Sequence, residues 1–340
     1  MPEASTPALA RPSSSLPTDL LEAQRDIWYN CLSKDTLAGY RSKKAKWLTF
    51  CMLFRRTPAD LSPSNIIDYL TYLGTVGRRN GTPLAYASIK AYVDFLGRAH
   101  SYTSPHLPNP VHHPEVELFL RGLARTLGKA VTKAEPCSLE HLRALNQYAE
   151  GHRSESEAQT VALLATIAFW GCLRLGALIP KAPEKKLRIL TFGDLTLSGS
   201  TLLITVRASK TIQYGERVHR IELPSQDDPL LCPLRALRRW TSLWRHLSYQ
   251  TPLCALSTTS TAMLSASRFL SLVNRVTRPA SLLTGHSFRR GFVRLAFLTG
   301  VPIWELMHHG DWKTVEVCMS YAEGVLIRNP LAARLRRPIL

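Results

Sequence analysis

Apolar residues in the first part of the chain recur at the spacing of α-helices. Ile66, Leu70 and Leu73 follow one another at intervals of three or four residues, and similar spacing runs through most of residues 18–130. Residues so spaced lie on one face of a helix. Proline and glycine clusters interrupt the pattern, as they do between helices. The pattern predicts a small domain of four or five helices, one of them over residues 36–54.

Beyond this domain the pattern becomes mixed. Ser138 is a typical N-cap residue for a new helix, and a strongly apolar stretch that ends near Trp170 predicts a second one. Alternating apolar and polar residues over 201–206 and 217–223, around a turn that contains Gly215, predict an antiparallel hairpin. Helical spacing then returns. The predicted fold class is mainly α with a small antiparallel β-sheet: an N-terminal helical domain and a C-terminal α+β domain.

Composition divides the chain into five segments. The first is rich in Pro, Ser and Ala and cannot bury enough apolar surface to order itself. The short segment between the two domains lacks apolar periodicity and is typical of a linker. The last segment carries aliphatic residues that could dock on a neighbouring protomer or pack on their own domain. The predicted segments are a flexible arm, 1–17; the helical domain, 18–130; the linker, 131–138; the α+β domain, 139–324; and the tail, 325–340.

The chain is strongly basic throughout. Its 43 Lys and Arg against 25 Asp and Glu give a formal charge of 43 − 25 = +18. Both domains share the excess, with 15 basic against 9 acidic residues in 18–130 and 26 against 14 in 139–340. Such a field favours a polyanion, because neutralising phosphates releases counterions. Nucleic acid is the natural partner, although charge alone also fits a generally basic surface or an anionic membrane surface.

The cysteines and the hydrophobic runs indicate a reducing compartment and no membrane partner. Seven cysteines are scattered without a CxxC pair, which argues against a disulfide framework or a zinc site. The longest apolar stretch, residues 161–173, is too short to span a bilayer, and the N-terminus lacks the basic-then-apolar design of a signal sequence. We expect an intracellular protein.

One predicted helix carries cations between aromatic residues. In residues 36–54 the basic side chains lie between Tyr40 on one side and Trp47 and Phe50 on the other, so the aromatic face would pack while the cations face outward. These cations either contact phosphates or form a solvated helix face. The candidate DNA-binding residues of this helix are Arg41, Lys43, Lys44 and Lys46.

The chemistry that the sequence suggests lies mainly near the C-terminus. His286 and Arg289 are three residues apart, a spacing that puts both side chains on one face of a helix, where they could grip one phosphate. Trp312 precedes Tyr321 by nine residues, so on one straight helix the two side chains would lie on opposite sides. We therefore expect the tryptophan in a turn and the tyrosine on the short helix that follows it.

Two further candidates lie upstream. Arg174 directly follows the apolar helix, where a guanidinium needs an anion or a polar partner, and its planar fork matches two phosphate oxygens. Lys210 lies at the predicted tip of the hairpin, where a flexible ammonium could protonate a leaving oxygen. Taken singly, each candidate fits an ordinary structural role better, such as an arginine that reaches the surface or an exposed turn lysine.

Five residues near these candidates have simpler interpretations. Asp311 or Thr314 could cap the short C-terminal helix. His308 and His309 form an adjacent pair that precedes the tryptophan, and we expect a turn or surface role for them. Arg290 lies next to the arginine of the HxxR pair on another helix face, and it is a candidate contact to the DNA backbone.

The candidate set resembles, in order and local setting, the active site of the tyrosine recombinase family. The spacing of its last four members is Cre-like, and the set is similar more loosely to the recombinases of eukaryotic mobile elements. The resemblance is strong over residues 160–324 and weak before residue 130. It implies an N-terminal helical core-binding domain and a C-terminal catalytic domain. The implied catalytic residues are Arg174, Lys210, His286, Arg289, Trp312 and Tyr321.

The resemblance also implies a reaction. Tyr321 would attack the scissile phosphodiester to form a 3′-phosphotyrosine, and Lys210 would protonate the freed 5′-hydroxyl. The arginines, with His286 and Trp312, would hold the charge that builds on phosphorus. Because the phosphotyrosine keeps the bond energy, no cofactor, ATP or metal is required. The family acts on double-stranded DNA as a homo-tetramer on two sites, through a Holliday junction. Mobile-element relatives would imply the nucleus if the source is eukaryotic.

One position departs from the family pattern. The family usually has an acidic residue three positions after the first arginine, and this chain has Ala177 there. Either another carboxylate, such as Asp194, takes that role, or the enzyme is slow or inactive. Two alternatives stay open: a recombinase-derived DNA-binding protein that no longer cuts, and a DNA-relaxing enzyme similar to type IB topoisomerases, which use a similar set of residues.

Overall fold

The chain divides into two compact units, Met1–Val131 and Thr132–Leu340. The predicted arm and tail and the candidate Lys210 lie outside the described residues. Within the described ranges, no helix has the length and apolar character that crossing a bilayer requires. The computed structural model describes residues 20, 22, 32–128, 134–180, 189–209, 212, 215–257 and 262–322.

The described part of the first unit is helical. Ile66, Leu70 and Leu73 are fully buried, which confirms the periodicity that predicted this region. Two of the helices begin at a proline, a residue that suits the first helical position because its missing N–H has no partner there. The helices are α1, Lys34–Leu53; α2, Pro63–Val76; α3, Tyr86–Thr103; and α4, Pro114–Leu127.

The second unit contains further helices around a larger core. The predicted cap at Ser138 is confirmed: its Oγ accepts from the N–H of His141 at 3.2 Å, and the Nδ1 of His141 accepts from the Ser138 N–H at 3.1 Å. Residues 158–169 of α6 are all buried, as the apolar run predicts. The helices are α5, Leu139–Gly151; α6, Ser156–Trp170; α7, Pro233–Thr241; α8, Ala266–Thr277; α9, Ser287–Leu298; α10, Ile303–His309; and α11, Val315–Ala322.

A three-stranded antiparallel sheet lies in the second unit. Its strands β1, Leu195–Ser198, β2, Thr201–Val206, and β3, His219–Pro224, are ordered β1-β2-β3. The hairpin of β2 and β3 was predicted, but β3 begins two residues later than expected. Strand β1 was not predicted, because it is four residues long and mostly exposed, too short for a clear alternation. The fold class is confirmed as mainly α with a small antiparallel sheet.

Helix α9 is anchored in two apolar clusters. Phe288 belongs to the large core that also contains Phe169 of α6. Val293 belongs to a smaller cluster that also contains Trp312 and Cys318. Because α9 contributes to both clusters, its first turn is held in a fixed place relative to α6 and α11.

Candidate active site

Four of the six candidates meet where α9, α11 and the turn between α10 and α11 come together. The phenol oxygen of Tyr321 lies 3.4 Å from Nδ1 of His286. The Trp312 and Tyr321 rings are 5.4 Å apart between centroids. The guanidinium carbon of Arg289 lies 5.5 Å from the centre of the Tyr321 ring. These side chains were predicted to act on one phosphate, and they share one site.

The start of α9 places the histidine and the arginine. His286 is the N-cap residue of α9 and Arg289 lies in its first turn, so the histidine precedes the helix that we expected to carry it. The carbonyl of Ser287 accepts from the N–H of Cys137 at 2.9 Å. A Cβ at Gly291 would lie 1.9 Å from the Cys137 carbonyl oxygen, so this close approach requires glycine.

Arg289 is a buried cation whose hydrogen-bonding capacity is only partly used. The residue is 2% exposed, and its Nη2 donates to the carbonyl oxygen of Gly310. Its Nε has no hydrogen-bond partner among the described residues. Burial lowers the pKa of Arg289, and the charge of Arg174 lowers it further. A buried guanidinium with an unused N–H group favours the binding of an anion.

Arg174 reaches the same region by a tight turn after α6. Cys172 has a left-handed φ of 48°, which turns the chain away from the helix axis. Arg174 then precedes a short 3₁₀ turn, Leu175–Ala177, and is half-buried. Its charge acts on both Arg289 and Cys172. Two cations that act on each other inside one site are balanced best by a shared anion.

The turn that follows α10 positions Trp312, as predicted. Trp312 is 7% exposed, and its Nε1 has no hydrogen-bond partner among the described residues. A Cβ at Gly310 would lie 2.0 Å from the Trp312 ring, so the glycine makes room for the indole. Thr314 Oγ1 accepts from the N–H of Val317 at 3.4 Å, whereas Asp311 forms an ion pair with Arg217 at 2.6 Å. Of the two predicted caps, the threonine therefore serves α11.

Helix α11 presents the phenol. Its buried residues, Cys318 and Ala322, face the small cluster that contains Trp312. Tyr321 packs partly on this cluster and stays partly exposed. The amphipathic pattern of α11 thus leaves the tyrosine at the edge of the core, beside the arginine and the tryptophan.

Lys210 and the residue after it lie outside the described residues, but Ser209 and Ile212 are described. Ser209 N–H donates to the carbonyl of Ile212 at 3.0 Å, and the Ile212 N–H donates to Ser209 Oγ at 3.1 Å. Ile212 is buried. Ser209 and Ile212 are therefore joined to each other, and Ser209 directly precedes the candidate lysine in the sequence.

The carboxylate of Asp194 is engaged at the sheet. Its Oδ2 accepts from the backbone N–H and the hydroxyl of Thr191, each at 2.9 Å, and its Oδ1 forms an ion pair with Arg207. Ala177, at the position where an acidic residue was expected, accepts the N–H of Leu190 through its carbonyl at 2.8 Å. Asp194 thus supports the arm of the hairpin that follows β2.

The predicted DNA-binding residues of α1 lie along an accessible face. Arg41 is exposed, and Lys44 is partly exposed. Lys43 Nζ donates to the carbonyl of Gly39 at 3.4 Å, and Lys46 Nζ lies 5.2 Å from the centre of the Tyr72 ring. Trp47 and Phe50, which follow these cations on the same helix, are buried, as expected. Contact of these cations with DNA stays a prediction.

Arg290, the remaining candidate DNA contact, already forms a hydrogen bond within the protein. Its Nη1 donates to the carbonyl of Ala134, and its Nε has no hydrogen-bond partner among the described residues. Burial lowers the pKa of Arg290. In this structure the side chain fastens α9 to the segment before α5, and its contact with DNA stays a prediction.

His309 has a structural role that the sequence did not reveal. Its Nε2 donates to the carbonyl of Trp170 at 2.7 Å, and its ring stacks on Phe292 at 4.8 Å. Burial lowers the pKa of His309. The expected turn or surface role is therefore wrong for His309, which joins α10 to α6, while the neighbouring His308 is exposed.

Cys172 is a second residue that sequence reasoning missed. It is buried in one cluster with Cys318, and burial raises the pKa of its thiol to about 12, although the charges of Arg289 and Arg174 act to lower it. A thiol of that pKa stays neutral and acts as a packing residue rather than as a nucleophile. Its left-handed φ leaves no sequence signal, because that conformation usually marks glycine or asparagine.

Solved structures share this architecture. The Tn1549 transposon integrase in complex with transposon right end DNA matches with a TM-score of 0.59 at 13% identity, over 93% of this chain and 96% of that chain. A lambda integrase tetramer bound to a Holliday junction matches with a TM-score of 0.52 at 14% identity, over 90% and 77%. The XerH site-specific recombinase bound to palindromic difH substrate matches with a TM-score of 0.54 at 14% identity, over 84% and 76%.

The sequence itself matches no family model and no curated protein. At identities of 13–14% the likeness concerns the fold. The chain has the fold of the tyrosine recombinases and integrases.

Proposed function

We propose that this chain, which has the tyrosine recombinase fold, is a site-specific DNA recombinase that cleaves and rejoins DNA through a 3′-phosphotyrosine on Tyr321. One observation carries the proposal. The phenol of Tyr321 shares a site with Arg289 and Trp312, and each of those residues holds a buried N–H without a partner among the described residues. Three residues that suit phosphoryl transfer thus converge on one point.

Two buried donors are the strongest support for a phosphate ligand. Leaving a buried donor unsatisfied costs about 1–3 kcal/mol. The Nε of Arg289 and the Nε1 of Trp312 both carry this cost. Non-bridging phosphate oxygens would accept from both, and these bonds would strengthen as charge builds on the pentacoordinate phosphorus.

In the proposed cleavage step, one proton leaves the attacking phenol and another is delivered to the leaving oxygen. Tyr321 Oη attacks phosphorus, and His286, whose Nδ1 lies 3.4 Å from that oxygen, accepts the phenol proton. The bond between phosphorus and O5′ breaks, and Lys210 protonates the leaving oxygen. Arg174 joins Arg289 on the non-bridging oxygens. The tyrosyl ester keeps the bond energy, so attack by a 5′-hydroxyl rejoins the strand without ATP or metal.

Strand exchange is the proposed outcome of the reaction. The chain carries a charge of +18, which suits a double-stranded DNA partner. The similar lambda integrase forms a tetramer on a Holliday junction, and the similar Tn1549 protein is a transposon integrase. We extend these properties to this chain: a homo-tetramer on two DNA sites, a Holliday-junction intermediate and a role in a mobile element, with a nuclear location in a eukaryotic host.

A covalent-adduct assay tests the chemistry. A random duplex library is selected for binding to Tyr321→Phe protein, and the bound sequences are built into duplexes nicked beside each candidate scissile phosphate, from which the released 5′ fragment diffuses away. Wild-type protein is expected to form a denaturation-resistant adduct, and Tyr321→Phe none. Tyr148→Phe, a change in another partly buried tyrosine of the same unit, serves as the matched control and should form the adduct normally.

The same assay separates the alternatives. Absence of an adduct on every selected site, with binding intact, would identify a DNA-binding protein that no longer cuts, as Ala177 would allow. An adduct with relaxation of supercoiled DNA by the protein, but no recombinant product from two sites, would identify a topoisomerase-like activity. Recombinant joints that require two sites support the proposed function.

A further inference from the structure

Helix α6 ends in a tight cap, and Arg174 follows that cap directly. The N–H of Cys172 donates to the carbonyl of Phe169 at 3.0 Å, and the N–H of Leu173 donates to the carbonyl of Ala168 at 3.0 Å. Together with the left-handed φ of Cys172, these two bonds form a well-defined C-terminal helix cap. The path of the chain from α6 to Arg174 is therefore set by the helix end.

A further carbonyl of this helix end is bound from outside the helix. The last four carbonyls of a helix have no partner within it, and the cap bonds reach only Ala168 and Phe169 among the last three residues of α6. His309, the last residue of α10, donates from Nε2 to the carbonyl of Trp170 at 2.7 Å. Its ring also stacks on Phe292 of α9, with 4.8 Å between the ring centroids. His309 thus joins the end of α6 to the end of α10.

His309 also directly precedes the turn that holds the other half of the candidate active site. Its carbonyl accepts from Nε2 of His219 in β3 at 3.1 Å. The next residue, Gly310, accepts from Nη2 of Arg289 through its carbonyl, and Trp312 lies two residues further along. The side chain and the backbone of His309 are therefore both held, immediately before the residues that place the second arginine and the indole.

The segment that carries Arg174 is held from the α9 side as well. The thiol of Cys172 donates to the Arg289 carbonyl at 3.9 Å. A Cβ at Gly285 would lie 3.1 Å from the Cβ of Leu175, so the chain just after Arg174 lies close to the start of α9. These contacts hold the segment from one side, and the bond from His309 holds it from the α10 side.

We propose that His309 is a positioning residue for Arg174, an inference that rests on the proposed function. Its bond to the Trp170 carbonyl sets the distance between Arg174 and the pair of Arg289 and Trp312, which would share one phosphate. Loss of the donor would leave that buried carbonyl unsatisfied, and the end of α6 would move relative to the turn after α10. Misplacement of a reacting group by about 1 Å can cost about 10²-fold in rate.

The charge of the scissile phosphate distinguishes this role from general support of the fold. Arg174 would act on the negative charge of the non-bridging oxygens, which builds up on the pentacoordinate phosphorus. A methylphosphonate has a methyl group in place of one of those oxygens, so the linkage is neutral and needs less stabilisation by cations. A misplaced Arg174 therefore slows cleavage of the phosphate far more than cleavage of the methylphosphonate, whereas a damaged fold slows both.

The experiment measures single-turnover adduct formation on matched nicked duplexes with a phosphate or a methylphosphonate at the scissile position. His309→Phe keeps an aromatic ring beside Phe292 but has no donor for the Trp170 carbonyl, whereas His309→Gln keeps a donor. Arg174→Ala is the reference, and the double variant Arg174→Ala/His309→Phe tests whether the two residues act through one interaction. His308→Phe, a change in the exposed neighbouring histidine, is the matched control.

The expected pattern differs between the two substrates. On the phosphate, His309→Phe should be at least about 10-fold slower than wild type, while His309→Gln should recover most of the rate and His308→Phe should match wild type. The double variant should be no slower than Arg174→Ala, because the placement of an absent arginine has no effect. On the methylphosphonate, each single variant should cleave within about threefold of wild type, since less charge needs stabilisation; this rate also shows that the proteins are folded.

Three results would overturn the inference while the proposed function stands: a wild-type rate of His309→Phe on the phosphate, equal slowing of His309→Phe on both substrates, or a double variant clearly slower than Arg174→Ala. If His309→Phe fails to fold, His309→Met decides in the same way, because methionine also lacks the donor and adapts to irregular space. If wild-type protein cleaves only the phosphate, the double variant decides. If wild-type protein forms no adduct on either substrate, the proposed function fails, and the positioning role fails with it.

Discussion

The guanidinium carbon of Arg289 lies 4.0 Å from the centre of the Trp312 ring. This contact holds the guanidinium against the indole, while the bond from Nη2 to the Gly310 carbonyl restricts its rotation. The N–H groups that remain without protein partners, on Nε of Arg289 and Nε1 of Trp312, belong to the two stacked groups. Arginine and tryptophan therefore form one preorganised unit, and each is expected to need the other for catalysis.

Replacement of Arg289 by lysine tests the value of the planar fork. Arg289→Lys keeps the charge but loses Nε and the stacked plane, so it cannot donate two parallel bonds to one phosphate. We expect cleavage of a nicked substrate to fall by about 10²–10³-fold, as for loss of an oxyanion donor, while binding to the uncleaved site stays within a few-fold. Arg174→Lys should behave alike. Cleavage at the wild-type rate would remove the altered arginine from the site.

Two substitutions of Trp312 separate its N–H from its ring. Trp312→Phe keeps an aromatic surface for Arg289 but removes the donor Nε1, and we expect about 10–10²-fold slower cleavage. Trp312→His supplies a ring N–H again and should cleave faster than Trp312→Phe, although the smaller ring leaves a cavity and lowers the melting temperature. The reverse order of rates would show that the indole acts by packing alone.

Gly310→Ala tests the close packing beneath the indole. The added Cβ would lie 2.0 Å from the Trp312 ring, so the ring has to move. Overpacking of this kind costs about 1–3 kcal/mol, and we expect a lower melting temperature together with slow cleavage. Gly151→Ala, where a Cβ meets nothing within 4 Å, is the matched control. Equal behaviour of the two variants would contradict this account of the turn.

Much of the fold and the convergence of four candidates were predictable from the sequence. The apolar spacing of α2 gave Ile66, Leu70 and Leu73 as core residues, and all three are buried. The nine-residue interval between Trp312 and Tyr321 excluded a single helix, and the turn at residues 310–314 follows from that geometry. Local periodicity carries such information because each pattern is confined to one element.

Contacts between distant elements were not predictable in this way. The bond from His309 to the Trp170 carbonyl spans 139 residues, and the pair of Arg217 and Asp311 spans 94. The two residues of each contact lie in different elements, so no periodic pattern in the sequence marks either contact. The left-handed conformation of Cys172 was also hidden, because tertiary packing overrides the preference of the residue.

The salt dependence of DNA binding tests the cations of α1. In a Tyr321→Phe background, which prevents covalent capture, the double variant Arg41→Ala/Lys44→Ala should lower the slope of log affinity against log salt by about two if both residues neutralise phosphates. The control is Arg121→Ala/Arg125→Ala, which removes two exposed charges from α4 of the same unit. An unchanged slope in the α1 variant would make its cations a solvated helix face.

Acid should destabilise the protein through His309. Burial lowers the pKa of this imidazole below the ordinary value of 6.5, so between the two pKa values the unfolded chain binds more protons than the folded chain. The contribution of His309 to the free energy of unfolding is therefore fully present above about pH 6.5 and is lost as the pH falls through the lowered pKa. The ring donates to the Trp170 carbonyl, stacks on Phe292 and is largely buried, and it is this burial that makes the folded state favour the neutral ring.

His309→Gln isolates this effect because the glutamine amide can donate to the same carbonyl but does not titrate. Melting temperatures are measured by calorimetry at about pH 7.5 and about pH 5. The decrease in melting temperature between the two pH values is then compared between proteins. We expect a smaller loss for His309→Gln than for wild type, and a wild-type loss for the control His246→Gln, whose side chain is exposed. If both variants lose as much as wild type, His309 is not the buried group that makes the folded chain sensitive to acid.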